Sequence, residues 1–246
     1  MKKIAYDQMY ENELTHPWYI FTRRLLIETL KYNIDKDAKI LDAGCGTGGT
    51  ISKLTKSGFK RISGIDKSNY AINFCKKRQI KNVSIGNINK LPFKNNSFDA
   101  VICLDVLYHQ NLNIKLALKE IHRVLKKNGL FYLQEPAFNW LKSKHDIAIQ
   151  TNQRFSKKTL SELVRSNKFK VIKVSYYNFI LFPLMAIKRF IDRLKPGIKV
   201  TSDVNKLPLI TTIILTMSLK FENYLFTKSF SSVLPYGLSI IVVSKK

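Results

Sequence analysis

The sequence predicts an α/β fold in which a doubly wound, mostly parallel β-sheet carries helices on both faces. Over the first three fifths of the chain, short apolar runs alternate with amphipathic helical patterns, which is typical of parallel strands joined by crossover helices. A glycine-rich run at residues 44–49 lies between the first strand pattern and the next helix pattern. Hydrophobic residues make up 45% and charged residues 24% of the chain, which indicates a packed core and excludes coiled-coil and wholly disordered chains.

The individual elements can be predicted in order from these patterns. A helical pattern at 17–32 precedes the first strand, which is predicted at 39–43. Further strands are predicted at 61–66, 83–86, 100–104 and 130–135, and helices at 49–57, 68–78 and 113–127. Gly129 is expected to end the last of these helices. Beyond Pro136 the sequence predicts a capped helix at 156–167, an alternating strand at 170–177 and a final strand at 237–243.

We expect a single domain over residues 1–246 with three parts. A helical cap at 1–38 precedes the core at 39–135, and the region 136–246 contains an insertion at 178–235 between the last two strands. The insertion carries apolar tracts of about a dozen residues, short of the roughly 18 that span a bilayer. It also carries a basic cluster, formed by Lys188, Arg189, Arg193, Lys195 and Lys199.

The charge and the cysteines bear on partners and compartment. The formal net charge is +25, which favours an anionic partner such as a membrane surface, although a coding bias toward Lys, Ile and Asn would also produce it. Cys45, Cys75 and Cys103 share no C-x-x-C spacing, so we expect neither a disulfide framework nor a metal site. The first residues lack the apolar stretch of a secretory signal. We therefore expect a cytoplasmic protein, free or peripheral on the inner face of the membrane.

The glycine-rich run is the first candidate binding site. A turn of this kind lets the backbone approach a ligand closely and aims the N-terminus of the next helix at it. The spacing lacks the Gly-Lys-Ser/Thr ending of a P-loop. Asp66, at the end of the second predicted strand, can accept both ribose hydroxyls of a bound nucleoside. Together these features predict a nucleoside-binding crevice.

Several segments resemble class I S-adenosylmethionine (SAM)-dependent methyltransferases. The first motif of that family resembles residues 40–48, ILDAGCGTG, and its ribose-binding strand end resembles residues 64–68, GIDKS. The likeness continues at SFDAV, LDVLYH and EIHRVLKKNG, which are residues 97–101, 104–109 and 120–129. His16, Trp18, Tyr19, Arg23 and Arg24 resemble the H-W-W-F-x-x-R-R opening of a type 11-like subgroup. The resemblance implies a Rossmann-like sheet of seven strands, the last antiparallel.

The resemblance implies SAM as the cofactor and assigns residues to it. The glycines would form the floor under the methionine part, Asp42 would contact the turn and the amino group, and Asp66 the ribose. Asn87 stands where the family usually has an aspartate facing the adenine amino group, and its amide oxygen can accept the same hydrogen bond. The full implied set is Asp42, Gly44, Gly46, Gly48, Asp66, Asn87, Leu104 and Asp105.

Catalytic residues are harder to predict because methyl transfer needs alignment, and a base only when the nucleophile must lose a proton. His109, after the fourth strand, and His145, in a later loop, are the candidates for such a base. Each has a structural alternative, as a helix-start residue and as a solvated loop residue. His16 and Trp18, with Arg23 and Arg24, suit an aromatic lid with a basic edge, or a packed helix with exposed arginines.

The leading functional hypothesis is methyl transfer to a small or lipid- or glycan-linked metabolite. The alternatives are RNA methylation, which the charge permits, and a non-catalytic cofactor-binding scaffold. No Asn-Pro-Pro-Tyr/Phe motif follows the fourth strand, so nucleic acid is not favoured as a partner. The insertion has three interpretations: a surface for anionic lipid, a pocket for a long-chain substrate, or a helical pair that only covers the sheet.

Overall fold

The computed structural model describes residues 3–142, 146, 149–194, 209–228 and 234–246. The helices, in chain order, are α1 (Lys3–Asn12), α2 (Pro17–Asn33), α3 (Gly49–Lys56), α4 (Asn69–Lys77), α5 (Ile114–Val124), α6 (Lys157–Ser166), α7 (Phe182–Leu194) and α8 (Leu209–Lys228). The strands are β1 (Lys39–Ala43), β2 (Arg61–Asp66), β3 (Val83–Ile85), β4 (Phe98–Leu104), β5 (Leu125–Pro136), β6 (Lys170–Tyr177) and β7 (Ser239–Lys245).

The seven strands form one sheet in the order β3-β2-β1-β4-β5-β7-β6. The pairs among β1 to β5 are parallel, whereas β7 runs antiparallel to both β5 and β6. This confirms the predicted seven-stranded fold with its last strand antiparallel. The chain order reverses between β1 and β4, and in open α/β sheets the crevice at such a reversal is where ligands bind.

The sheet carries an apolar layer on each face because successive side chains of a buried strand point to opposite sides. Leu41, Val101 and Leu133 point into the layer that α5 and α6 cover. Ile40 and Ile102 point into the opposite layer, which α2, α3, α4 and α8 cover. The insertion therefore contributes α8 to the core of one face. None of the described helices is long and apolar enough to cross a membrane.

Local capping explains where several helices begin. The Asn113 side chain accepts a hydrogen bond from Leu116 N at 3.1 Å at the start of α5. Ser156 and Thr159 form a reciprocal capping box at the start of α6, as its sequence predicts. His16 caps α2, because its Nδ1 accepts a hydrogen bond from Trp18 N at 3.2 Å.

Two sequence expectations differ from the structure. Gly129 does not end a helix: α5 already ends at Val124, and β5 begins at Leu125, whose buried side chain joins the core. A Cβ on Gly129 would lie 3.2 Å from the Asp99 carbonyl oxygen, so glycine admits this close approach within the sheet. In addition, the N-terminal cap contains a separate helix, α1, that the pattern at 17–32 does not cover.

Candidate active site

A cavity of about 440 Å³ opens at the carboxyl ends of β1, β2 and β4, beside the reversal of strand order. Its walls come from α1, α2, the loops after the strands, and the insertion helices α7 and α8. Seven of the eight predicted cofactor residues line it, together with one of the two predicted base candidates. These residues are Asp42, Gly44, Gly46, Asp66, Asn87, Leu104, Asp105 and His109.

The glycine-rich loop forms the floor of this cavity. Gly44 N and Cys45 N each donate a 2.8 Å hydrogen bond to the Ile65 carbonyl, which ties the loop to β2. Gly46 has φ +52° and faces α1, where an added Cβ would lie 3.1 Å from Met9 Sδ. Gly48 is outside the cavity lining: its φ is +85° and its Cβ would lie 2.5 Å from Ile80 Cδ1. Glycine at 48 thus serves packing at the start of α3.

Asp66 lies at the end of β2 and organises the loop beside it. Its Oδ2 accepts a 3.0 Å hydrogen bond from Gly46 N, and its Oδ1 accepts one from Ser68 N at 2.9 Å. Burial and, secondly, the charge of Asp66 raise the pKa of the Tyr6 hydroxyl of α1 to about 12. Burial raises the pKa of Asp66, and the two backbone hydrogen bonds oppose that rise. The carboxylate therefore lies where two backbone N–H donors converge.

Two further carboxyl groups face the cavity. Asp42 is only 2% exposed, and its Oδ2 has no hydrogen-bond partner among the described residues. Burial raises the pKa of Asp42 to about 7, while Arg23 partly offsets the rise. Asp105 follows β4 with φ +56° and accepts a 3.2 Å hydrogen bond from Gln134 Nε2. Burial also raises the pKa of Asp105 to about 7. Both groups would be stabilised as carboxylates by a cationic ligand.

Glu135 holds the loop after β4 in place and does not serve as a ligand to the cavity. Its Oε1 accepts hydrogen bonds from Val106 N at 3.1 Å and Leu107 N at 2.7 Å, and its Oε2 accepts one from Tyr108 N at 3.1 Å. The side chain is fully buried. This supports the turn role that its position at the end of the fifth strand allows.

Asn87 lies in the turn after β3, on the cavity wall. Its Oδ1 accepts a 2.9 Å hydrogen bond from Asn89 N, so the amide oxygen stabilises the turn. A carbonyl oxygen has a second lone pair, which leaves it able to accept from a ligand amino group as well. The neighbouring Gly86, Ile88 and Asn89 also line the wall.

The histidines of the site are held neutral. Burial lowers the pKa of His109 to about 4, although hydrogen bonds to the backbone at Ile149 and Gln150 oppose the shift. Burial also lowers the pKa of His16. Because Nδ1 of His16 accepts from Trp18 N, the proton of its neutral ring lies on Nε2. That Nε2 has no hydrogen-bond partner among the described residues and belongs to a ring on the cavity wall. His145 lies outside the described residues.

A buried cluster around Glu13 clamps the N-terminal helices onto the loop. Glu13 is 2% exposed, pairs with Arg23 and accepts a hydrogen bond from the Thr47 hydroxyl. Arg78 Nη2 lies 3.0 Å from Glu13 Oε1, and Arg78 Nε donates to the Thr47 carbonyl at 3.0 Å. Arg23 therefore lines the cavity as a buried, ion-paired side chain and does not form an exposed basic edge. Arg24 is the exposed arginine of the pair and bonds Glu28.

Sequence reasoning missed the contribution of α1 to the site. Tyr6 and Met9 line the cavity, and Glu13 follows directly after the helix. Residues 6, 9, 10 and 13 recur at helical spacing, so a periodicity count over the first residues would have found this face. A search for purely apolar stripes does not detect this face, because its residues are partly polar and aromatic.

The residues of the cavity fit the chemical groups of SAM. The cofactor carries a sulfonium and an ammonium group, and Asp42 and Asp105 offer buried carboxyls that a cation would stabilise as anions. Its ribose hydroxyls need acceptors, which Asp66 supplies at a strand end, and the positive-φ glycines keep side chains away from the cradle.

Comparisons with known proteins identify the family. Residues 41–133 match the family described as Methyltransferase domain. An uncharacterised protein of Methanocaldococcus jannaschii is 30% identical over 184 residues, which are 71% of this chain and 67% of that protein. A sterol 24-C-methyltransferase of Neurospora crassa is 31% identical over 109 residues, which are 42% of this chain but only 28% of the fungal protein.

Solved structures show the same fold. The structure of geranyl diphosphate methyltransferase in complex with SAM superposes with a TM-score of 0.60 at 15% identity, covering 91% of this chain and 84% of that one. The matched family and the observed fold indicate the same kind of protein. The site has the expected glycine-rich turn after β1 and the expected acid, Asp66, at the end of β2. The chain belongs to the class I SAM-dependent methyltransferases of the type 11 group, and SAM is its cofactor.

Proposed function

We propose that this enzyme methylates a small apolar or lipid-linked metabolite that carries a hydroxyl or amine. The observation that carries the proposal is the far wall of the cavity, which the insertion builds from apolar side chains. Leu181, Leu184, Met185 and Leu215 line it beyond the cofactor residues. Binding of a hydrocarbon group against such a wall is favourable because it removes apolar surface from water.

A few polar groups lie within this apolar wall. They indicate which hydrogen-bonding groups the acceptor has. The amide oxygens of Gln134 and Asn178 are buried without a hydrogen-bond partner among the described residues. Such orphaned acceptors are costly unless a ligand donates to them. Arg154 is ion-paired with Asp146, Nε to Oδ1 at 2.7 Å, so the pair presents no net charge. An acceptor with an O–H or N–H donor on a hydrocarbon body satisfies this arrangement.

The chain's own residues orient the acceptor and exclude water, while bound SAM supplies the electrophilic methyl group. We propose that Nε2–H of His16 donates a hydrogen bond to the acceptor and that the two amide oxygens accept hydrogen bonds from it. Burial lowers the pKa of His109 to about 4, so its ring is neutral at pH 7 but is a weak base for the proton of a nucleophile. The names of the two related enzymes, which refer to a sterol and to geranyl diphosphate, support an isoprenoid-like acceptor class.

The proposal is tested by supplying methyl-labelled SAM with acceptors of three classes: prenyl alcohols, small polar amines, and transfer RNA. We expect label to enter only organic-extractable products. Met185→Trp, which fills the apolar wall, should reduce that turnover while SAM binding stays unchanged. Leu116→Trp, on the exposed face of α5, is the matched control. Label recovered in RNA or in the polar amines alone would contradict the proposal.

The pH dependence of SAM binding follows from the two raised carboxyls. In the free protein the pKa values of Asp42 and Asp105 are about 7, so both take up protons as the pH falls below 7. A cationic ligand requires the carboxylates, and protonation therefore competes with it. Lowering the pH from 6.5 to 5 should weaken binding by about tenfold or more for a carboxyl that must ionise. Calorimetric titration at each pH measures this.

Asp105→Asn separates the contribution of one carboxyl. Asparagine tolerates the positive φ at this position, and its amide oxygen can still accept from Gln134. The variant should bind SAM more weakly at neutral pH and show a shallower pH dependence. Circular dichroism at pH 5 verifies that the protein is folded. A parent protein whose affinity is flat or rises toward pH 5 would show that these carboxyls do not face the cationic part of SAM.

A further inference from the structure

The outer face of α8 is apolar along its length. Six of its large side chains are 49% to 73% exposed, and they recur at helical spacing along one stripe. They are Ile210, Ile213, Ile214, Met217, Phe221 and Tyr224. A helix at a water-facing surface normally shows polar residues on its outer face. This stripe therefore indicates a surface that a binding partner covers.

Contacts on the inner face of α8 fix the rotation of the helix about its axis. The apolar stripe on the outer face therefore stays exposed. Leu215, Leu219 and Phe226 are buried in the core. Asn223 Nδ2 donates to the Phe21 carbonyl at 2.9 Å, and Asn223 Oδ1 accepts from the Tyr177 hydroxyl at 2.8 Å. Rotating α8 would bury its outer stripe only by breaking these contacts.

The other insertion helix, α7, also exposes apolar side chains. On α7, Leu184, Ile187 and Phe190 are 60% to 63% exposed, and Ile191 is 44% exposed. We name the exposed apolar side chains of α7 and α8 the insertion face. Apolar patches formed by many adjacent large side chains mark protein or membrane interaction sites.

We propose that the insertion face docks on the surface of an anionic membrane, with α7 and α8 lying in the interface. Lys188 and Lys220 are exposed on the same two helices, and Lys228 ends α8. The insertion at 178–235 contains eight Lys and Arg against three Asp and Glu. Of those acids, Glu222 is buried, where it accepts from Phe179 N and Ile180 N. Exposed lysines beside apolar side chains are the pattern of interfacial helices.

Charge selects the membrane over a second copy of the chain. Each copy carries a formal charge of +25, so two copies repel one another, whereas an anionic bilayer attracts the protein over a Debye length of about 10 Å at 0.1 M salt. Of the basic cluster named in the sequence analysis, Lys188 is exposed, whereas Arg189 is buried and donates a 2.6 Å hydrogen bond to the Leu141 carbonyl. Lys195 and Lys199 lie outside the described residues, as does the side chain of Arg193.

The cavity reaches this face. Leu184 lines the cavity and is also 62% exposed, and Thr211 of α8 is exposed while lining it. If the proposed function holds, a lipid-linked acceptor enters the site directly from the bilayer. The docking itself stands without that function, because it rests only on the insertion face and on charge.

The experiment is cosedimentation of the full chain with vesicles of phosphatidylcholine alone or mixed with phosphatidylglycerol, over a salt series and without acceptor. We expect the protein to bind the anionic vesicles, with binding that falls as salt rises. Lys188→Glu with Lys220→Glu should lower partitioning by roughly tenfold or more. Ile213→Glu, Met217→Glu and Phe221→Glu together should remove the remaining binding. These side chains point away from the core, so the variants should bind SAM like the parent.

Leu116→Glu, an exposed leucine on α5, is the control and should bind vesicles like the parent. Equal binding by the parent and the triple glutamate variant would overturn the proposal, as would failure of the parent to bind anionic vesicles at low salt. Sedimentation velocity without lipid tests the rival occupant: a parent dimer that the triple variant converts to monomers would assign the face to a second copy. Absence of methyl transfer to prenyl acceptors would contradict the proposed function and leave the docking result intact.

Discussion

Replacing Glu13 with alanine is expected to lower the free energy of unfolding by about 3–5 kcal/mol, since breaking a buried ion pair leaves uncompensated charge. Glu13 is the shared partner of Arg23 and Arg78 beneath the glycine-rich loop, and all three side chains are less than a tenth exposed. Without the carboxylate, two buried guanidinium groups face each other. Urea unfolding followed by circular dichroism measures the change.

The chain supplies a matched control in Glu28. It pairs with Arg24 one turn away on the outer face of α2, where the two side chains are 34% and 57% exposed. Glu28→Ala should cost less than about 1 kcal/mol, because exposed ion pairs contribute little. If Glu13→Ala and Glu28→Ala proved equally mild, the clamp around Glu13 would not hold the N-terminal helices in place.

Replacing Asp66 with alanine is expected to weaken SAM binding by roughly ten- to a hundredfold, because a hydrogen bond to a charged group contributes about 1.5–3 kcal/mol. The variant loses the acceptor for the ribose and also the acceptor of Gly46 N and Ser68 N, so the loop beside the ligand loses two anchors. Calorimetric titration with SAM and with its demethylated product gives both affinities.

Asp37→Ala is the control for this change. Asp37 is 73% exposed and pairs with Lys60 at the surface, so its loss should leave the affinity for SAM unchanged. Thermal unfolding of both variants separates loss of binding from loss of fold. Undiminished SAM affinity in a folded Asp66→Ala protein would remove Asp66 from the cofactor site.

The strands were the most predictable part of the fold. The bounds of β1, β2 and β6 match their prediction because short buried runs there lie between polar or glycine turns. The start of β5 was mispredicted since the helical pattern of α5 continues through Leu125, and the pairing of Leu125 with Phe98 of β4 decides otherwise. A local sequence pattern contains no information about pairing with a strand that is distant in the sequence.

The candidate site likewise has features that the sequence predicts and features that it does not. Asp42, Gly44 and Asp66 lie at or next to the carboxyl ends of strands. These ends of a parallel sheet converge, so the meeting of the three residues in one cavity could be predicted. The bond between Glu13 and Arg78 joins residues 65 apart in sequence, and no spacing rule connects them. Gly48 illustrates a third case, because a motif glycine can be required by packing against Ile80 and still lie outside the cavity.

The antiparallel pairing of β6 with β7 has a consequence for how such enzymes diversify. Tyr177 and Ser239 are partners in that pairing, so a tight hairpin turn would suffice to join the two strands. Everything between them is topologically optional. Evolution or a protein engineer can exchange this segment for another without rethreading the sheet, provided that the new segment covers the face of the core that α8 covers here. If the insertion selects the acceptor, as proposed above, acceptor choice can change while the strand ends that hold the cofactor stay the same.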